Sequence, residues 1–108
     1  MNNINKKKNI VKYSRLFSTE SFSPIRSGNI SIRSKLNNKE GFFISPSGKK
    51  NLELTINDIV FVSLNGDIEE NKKPSSEWRF HVDLYNSNEC NAIVHAHSKF
   101  AVILSLIH

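Results

Sequence analysis

His95 and His97 stand two residues apart in a stretch, Asn91 to His97, whose composition reads as a β-strand. Side chains alternate along a strand, so both imidazoles leave the same face. Two neutral ring nitrogens so placed can converge on one zinc ion. The plainer reading is two partly exposed histidines at a strand end. Catalytic zinc takes three protein ligands and keeps one position open. His81 falls inside a predicted helix and His108 is the last residue, so spacing offers no convincing third ligand. Glu77 sits at the start of that helix, where it either complements the positive end of the helix dipole or, beside a metal, moves a proton next to a carbonyl.

Three small turns rich in hydrogen-bond donors accompany these groups: Ser27-Gly28-Asn29, Ser47-Gly48 and Ser75-Ser76. Glycine allows positive φ and close approach of a ligand to the backbone. One of Ser75 and Ser76 is expected to be a helix N-cap, and free amides at a helix start also hold phosphate. Each turn alone is ordinary; together they suggest a phosphorylated substrate.

The elements that must position these residues can be read from the pattern. Ile30 and Ile32 alternate with Ser31 and Arg33, which predicts a half-buried strand. Asn37 to Gly41 is a turn, and Phe42-Phe43-Ile44 a second strand, so the two form a hairpin. A short helical turn is expected near Thr55. Ile59 to Leu64 follows as a strand, with Asn65-Gly66 as a two-residue turn needing positive φ at both positions and Asp67-Ile68-Glu69 as a short return. Pro74-Ser75-Ser76-Glu77 opens a helix, whose apolar face is Trp78, Val82 and Tyr85, widened by Phe80 and Leu84. The apolar run from Phe100 to Ile107 reads as the opening of a further helix. Strands around an amphipathic helix make an α/β arrangement.

Composition bounds the function. The 108 residues, 38% hydrophobic and 23% charged, suit a folded domain. The net charge of +5 is local: Lys6, Lys7, Lys8, Lys12 and Arg15 precede the first acid, Glu20, and the remainder is neutral. Residues 1–14 are therefore expected to be a basic, disordered tail, with the domain spanning 15–108. No aromatic residues interleave with the lysines, so nucleic acid is not an expected partner. The apolar runs are far shorter than the roughly 20 residues of a membrane span, and no apolar stretch follows the basic start as in a signal peptide. Cys90, the only cysteine, suits a reducing compartment. A cytoplasmic protein is expected.

Taken in order, Ser27 to Arg33, Phe43 to Gly48, Asp58-Ile59-Val60, Leu64-Asn65-Gly66, Pro74 to Trp78 and His95-Ala96-His97-Ser98 resemble the class II aldolase/adducin family, from about Arg15 to the end of the chain. The resemblance implies a three-layer α/β/α fold with a mainly antiparallel central sheet, of which this chain is the N-terminal part. It implies zinc held by His95 and His97, with Glu77 as acid/base and an occasional metal contact, and phosphate held by Gly28, Asn29, Ser47, Gly48, Ser75 and Ser76. The substrate class is a ketose phosphate, and the chemistry aldol cleavage, epimerisation or dehydration. The family's third zinc histidine is expected downstream of His108, and its enzymes form tetramers with interfacial sites. Three readings follow: an inactive shortened product, one half of an enzyme completed by a separately encoded C-terminal half, or a non-catalytic adducin-like interaction module. The intact Glu77, His95 and His97 weigh mildly against the last.

Overall fold

Asn37 and Asn38 both adopt positive φ, 52° and 66°, the conformation a two-residue hairpin loop needs to match strand twist. They join β1 (Asn29–Leu36) to β2 (Lys39–Ile44), which pair antiparallel with Leu36 opposite Lys39. The computed structural model describes residues 2–19, 28–95 and 101–104, with the backbone alone for 17–19 and 101–104. The remaining described elements are α1 (Asn3–Thr19), two 3-10 turns (Asn51–Glu53 and Ile56–Asp58), β3 (Val60–Ser63), α2 (Trp78–Ser87), β4 (Ala92–His95) and β5 (Ala101–Leu104). The strands form one five-stranded sheet in the order β3-β2-β1-β4-β5, every neighbouring pair antiparallel.

Alternation along the strands sends neighbouring side chains to opposite faces. Phe43, Phe61, Ile30 and Val94 pack with Ile10 and Val11 of α1, together with Leu54 and Ile59 from the 3-10 segment. Phe42, Val62, Ile44 and Ile93 pack on the other side with Tyr85, and with Trp78, Val82 and Leu84 of α2. Helix, sheet, helix is the three-layer arrangement expected from the motifs. Gly41 lets β2 and β3 approach: a Cβ there would lie 2.2 Å from the Val62 carbonyl oxygen.

Several local expectations are corrected. The basic segment is not a loose tail but most of α1; Ile10 is fully buried, and Lys6 and Lys7 reach the sheet while Lys8 and Lys12 are exposed. Lys6 donates to the Arg33 carbonyl at 2.9 Å, and the Lys7 ammonium stands 5.1 Å from the Phe43 ring centroid. Residues 101–104 form a strand, where a helix was expected, because hydrogen bonding to β4 decides what a continuous apolar run leaves open. Positive φ occurs at Gly66 and not at Asn65, and the return strand shrinks to a single bridge between Val62 and Ile68. Thr55 does open a short helical turn, its amide and hydroxyl both donating to the Asp58 carboxylate at 2.8 and 3.0 Å.

Candidate functional site

β1 is covered on both faces rather than half-buried, and its polar side faces α2. Ser31 is fully buried. Its hydroxyl lies 2.7 Å from His81 Nδ1 and 2.7 Å from the Tyr85 hydroxyl. His81 Nε2 reaches the Asn29 side-chain oxygen. Two residues further along β1, Arg33 donates to the carbonyls of Tyr85, Asn88 and Cys90, closing the C-terminal end of α2. Its guanidinium also stacks 4.8 Å from the Tyr85 ring centroid. Strand positions 29, 31 and 33 thus mesh with helix positions 81 and 85. Burial, and secondarily the neighbouring His95, push His81 down to about 3; burial pushes the Tyr85 hydroxyl up.

The open end of this ladder is where the candidate residues gather. Asn29 is the register partner of His95. Ser45, just past β2, donates its amide to the Ile30 carbonyl and accepts the Ser75 amide at 2.9 Å. Pro46 bridges to Pro74, and the Ser47 amide donates to the Lys73 carbonyl at 3.2 Å. These short ties bring the Gly28–Asn29, Ser45–Gly48 and Pro74–Glu77 segments together at one end of the central strands. Gly48 has φ 76° and open space where a Cβ would stand. Ser75 is buried and accepts the Glu77 amide on its hydroxyl, whereas Ser76 is exposed.

The N-cap of α2 is Glu77 itself, not one of the serines. Ser75 instead shapes the turn before it, its carbonyl accepting the Trp78 amide at 3.0 Å. Glu77 Oε2 lies 4.0 Å from His95 Nδ1, too far for a hydrogen bond. That ring nitrogen is buried and has no hydrogen-bond partner among the described residues. An unmatched buried polar atom is costly, and here it faces a half-exposed carboxylate. Zinc bonds to nitrogen and oxygen of about 2.0–2.2 Å, set at a tetrahedral angle, put the two donors about 3.4 Å apart, so a closure of about 0.6 Å would let the pair share a cation. Among the described residues, no group of three or more metal-ligating side chains is assembled. His97 lies outside the described residues.

Phe80 does not widen the core face of α2. It stacks on the His95 ring, with centroids 4.5 Å apart and planes 29° from parallel. Sequence reasoning weighed His81 only as a third ligand, placed Tyr85 on the apolar face of α2 and read Ser31 as a polar strand position, and so assigned none of them to the site. The signal was present: Glu77, His81 and Tyr85 recur every four residues, one stripe of a helix, and Asn29, Ser31 and Arg33 alternate on one face of a strand.

Helix, antiparallel sheet, helix, with His95 and Glu77 facing each other at the strand ends where the Asn29, Ser45–Gly48 and Pro74–Glu77 segments meet, is an α/β aldolase-like arrangement. The chain belongs to the class II aldolase and adducin family: residues 8–108 match the model of its N-terminal domain. It is 43% identical over 81 residues to L-fuculose phosphate aldolase of Haemophilus influenzae, covering 74% of this chain and 36% of that protein. It is 40% identical over 81 residues to 5-methylthioribulose-1-phosphate/5-deoxyribulose-1-phosphate aldolase of Rhodospirillum rubrum, covering 74% of this chain and 35% of that protein. A solved L-fuculose 1-phosphate aldolase superposes with a TM-score of 0.75 at 31% identity, covering 92% of this chain and 47% of that one. The chain therefore spans about a third to a half of these relatives.

Proposed function

We propose that this chain carries the phosphate-binding, acid/base and first zinc-ligand portion of a cytoplasmic enzyme that cleaves a ketose phosphate by aldol chemistry. The observation that carries this reading is the buried, unpartnered His95 Nδ1 facing the Glu77 carboxylate at 4.0 Å, beside Asn29. The names of the matched relatives supply the substrate class. Among the described residues, no helix is long and apolar enough to cross a membrane.

In this mechanism His95 and His97, with Glu77, would hold zinc. When bound, the ion supplies positive charge that polarises the substrate carbonyl. Backbone amides and hydroxyls of Gly28, Ser47, Gly48, Ser75 and Ser76, with the Asn29 side chain, receive the phosphate. Anchoring the phosphate fixes the distance from the sugar's reacting carbons to Glu77 and removes much of the entropic cost of alignment. Glu77 accepts or returns the proton at the carbon next to the carbonyl. Phe80 shields one side of the His95 ring from water. The family pattern implies a third histidine and a tetrameric assembly; with His95, His97 and Glu77 alone, zinc binding is expected to be weak.

The test joins this chain to the C-terminal portion of the Haemophilus relative, as a fusion or by co-expression, and assays cleavage of L-fuculose phosphate with zinc. Activity is expected. Glu77→Gln removes it by at least about a hundredfold while zinc stays bound, because an amide cannot carry the proton. Full turnover in Glu77→Gln would refute the acid/base role. A folded, zinc-loaded and inert complex would favour a non-catalytic module.

A further inference from the structure

The ladder between β1 and α2 has a direction. Asn29 Oδ1 can only accept a hydrogen bond, so the proton on its partner sits on His81 Nε2. His81 is fully buried, with Phe42 stacked 6.0 Å away. A neutral imidazole with a proton on Nε2 leaves Nδ1 as an acceptor. Ser31 must then donate to Nδ1, and its oxygen is free to accept the Tyr85 hydroxyl proton. Every bond in the chain from Tyr85 through Ser31 and His81 to Asn29 is satisfied in one polarity.

We propose that His81 is a positioning residue whose Nε2–H holds the Asn29 amide in one orientation, so that the amide turns its two N–H donors toward the anion at the end of the central strands. Were that amide reversed, its NH2 would confront the His81 Nε2–H, donor against donor. The orientation makes Asn29 a donor-only contact. It favours an oxyanion such as phosphate over a hydroxyl that must itself donate. The Ser31 and Tyr85 hydroxyls, each able to donate or accept, take up the polarity that this tautomer requires, and the four-residue spacing of His81 and Tyr85 against the two-residue spacing of Asn29 and Ser31 keeps the relay in register. The inference rests on the reading of Asn29 as a phosphate contact, and its test separates the two.

The first measurement needs no ligand. Two-bond proton–nitrogen correlation spectra of the full chain are expected to show His81 protonated on Nε2 and bare on Nδ1; the opposite tautomer overturns the proposal. The second follows the Asn29 side-chain amide while inorganic phosphate is titrated. His81→Phe, which keeps a flat apolar ring but no donor, is expected to weaken phosphate roughly tenfold, the loss of about one oriented hydrogen bond. His81→Gln, whose amide can still donate to Asn29, restores most of it. In an Asn29→Ala background His81→Phe has no further effect. A role in folding alone would lower thermal stability without that coupling. Wild-type affinity in a folded His81→Phe, with Asn29→Ala still weakened, overturns the positioning role and leaves the anion site standing. Unchanged phosphate binding in Asn29→Ala removes the phosphate reading, and the proposed role falls with it whatever the tautomer.

Discussion

The two faces of the sheet are built on different principles. Under α1 the contacts are apolar: Ile10, Val11, Phe43 and Phe61 meet with Leu54 and Ile59, and the basic residues lie at the margins. Under α2 the apolar patch is shared with a buried polar ladder of Asn29, Ser31, His81, Tyr85 and Arg33. Apolar packing is non-directional and tolerates small shifts. A hydrogen-bonded ladder does not, since each partner must sit within a few tenths of an ångström. The candidate site lies at the end of the second face. One side of the sheet holds the fold together, and the other gives up some apolar burial to fix where groups point.

That contrast can be broken from either side. Phe43→Ala is expected to have the largest effect. It opens a cavity beside Phe61, whose ring packs edge-on with centroids 5.3 Å apart, and should cost about 3–5 kcal/mol in urea unfolding. A loss well under 2 kcal/mol would mean that the α1 face carries little of the stability.

Acid should act through the other face. The unfolded His81 ring titrates near 6.5 and the folded one near 3. Between those values the unfolded chain binds more protons, so stability falls as pH drops from about 6.5 toward 3, by up to ~1.4 kcal/mol per pH unit. Thermal melts at pH 7 and pH 4.5 should differ accordingly, and His81→Phe should flatten the dependence. An equally steep dependence in that variant would move the acid sensitivity to other groups.

Tyr85→Phe is the gentlest probe. It removes the outer member of the ladder and keeps the ring over Phe42, at a centroid distance of 5.0 Å. About 0.5–1.5 kcal/mol should be lost, with the sheet intact by circular dichroism. A loss as large as that of Phe43→Ala would erase the distinction between the faces.

Much of this was legible in the amino acids. The β1–β2 hairpin, the turn after Thr55, the helix after Pro74 and the three-layer arrangement follow from alternation, turn chemistry and ordered motifs. α1 was not, because its lysines dominate the segment and, among its described side chains, only Ile10, Val11 and Ser14 are buried; which stems would lie on a sheet is a tertiary fact. The strand at 101–104 was hidden because a continuous apolar run has no period. The polar half of β1 read as solvent-facing, since Ser31 and Arg33 look the same in sequence whether water or a helix satisfies them. Glu77 and His95 were legible as separate candidates. Their facing geometry depends on the Asn29–His95 register, which no local pattern encodes.

That register has a kinetic consequence. β1 and β2 are joined by a two-residue loop and can pair early, because little chain entropy is lost in closing it, and β3 joins them after the longer 45–59 connection. β4 reaches β1 only after the whole segment carrying β3 and α2 has been threaded into place, a contact between distant parts of the chain and therefore slow to form. Pulse-labelled hydrogen exchange should protect the Phe42 and Phe43 amides before that of Ile93; simultaneous protection would refute the order. Because His95 arrives on β4, a half-folded chain holds the hairpin without the histidine opposite Asn29. Metal capture by this pair would then report that folding has finished, and a zinc-bound population would exclude the early intermediates.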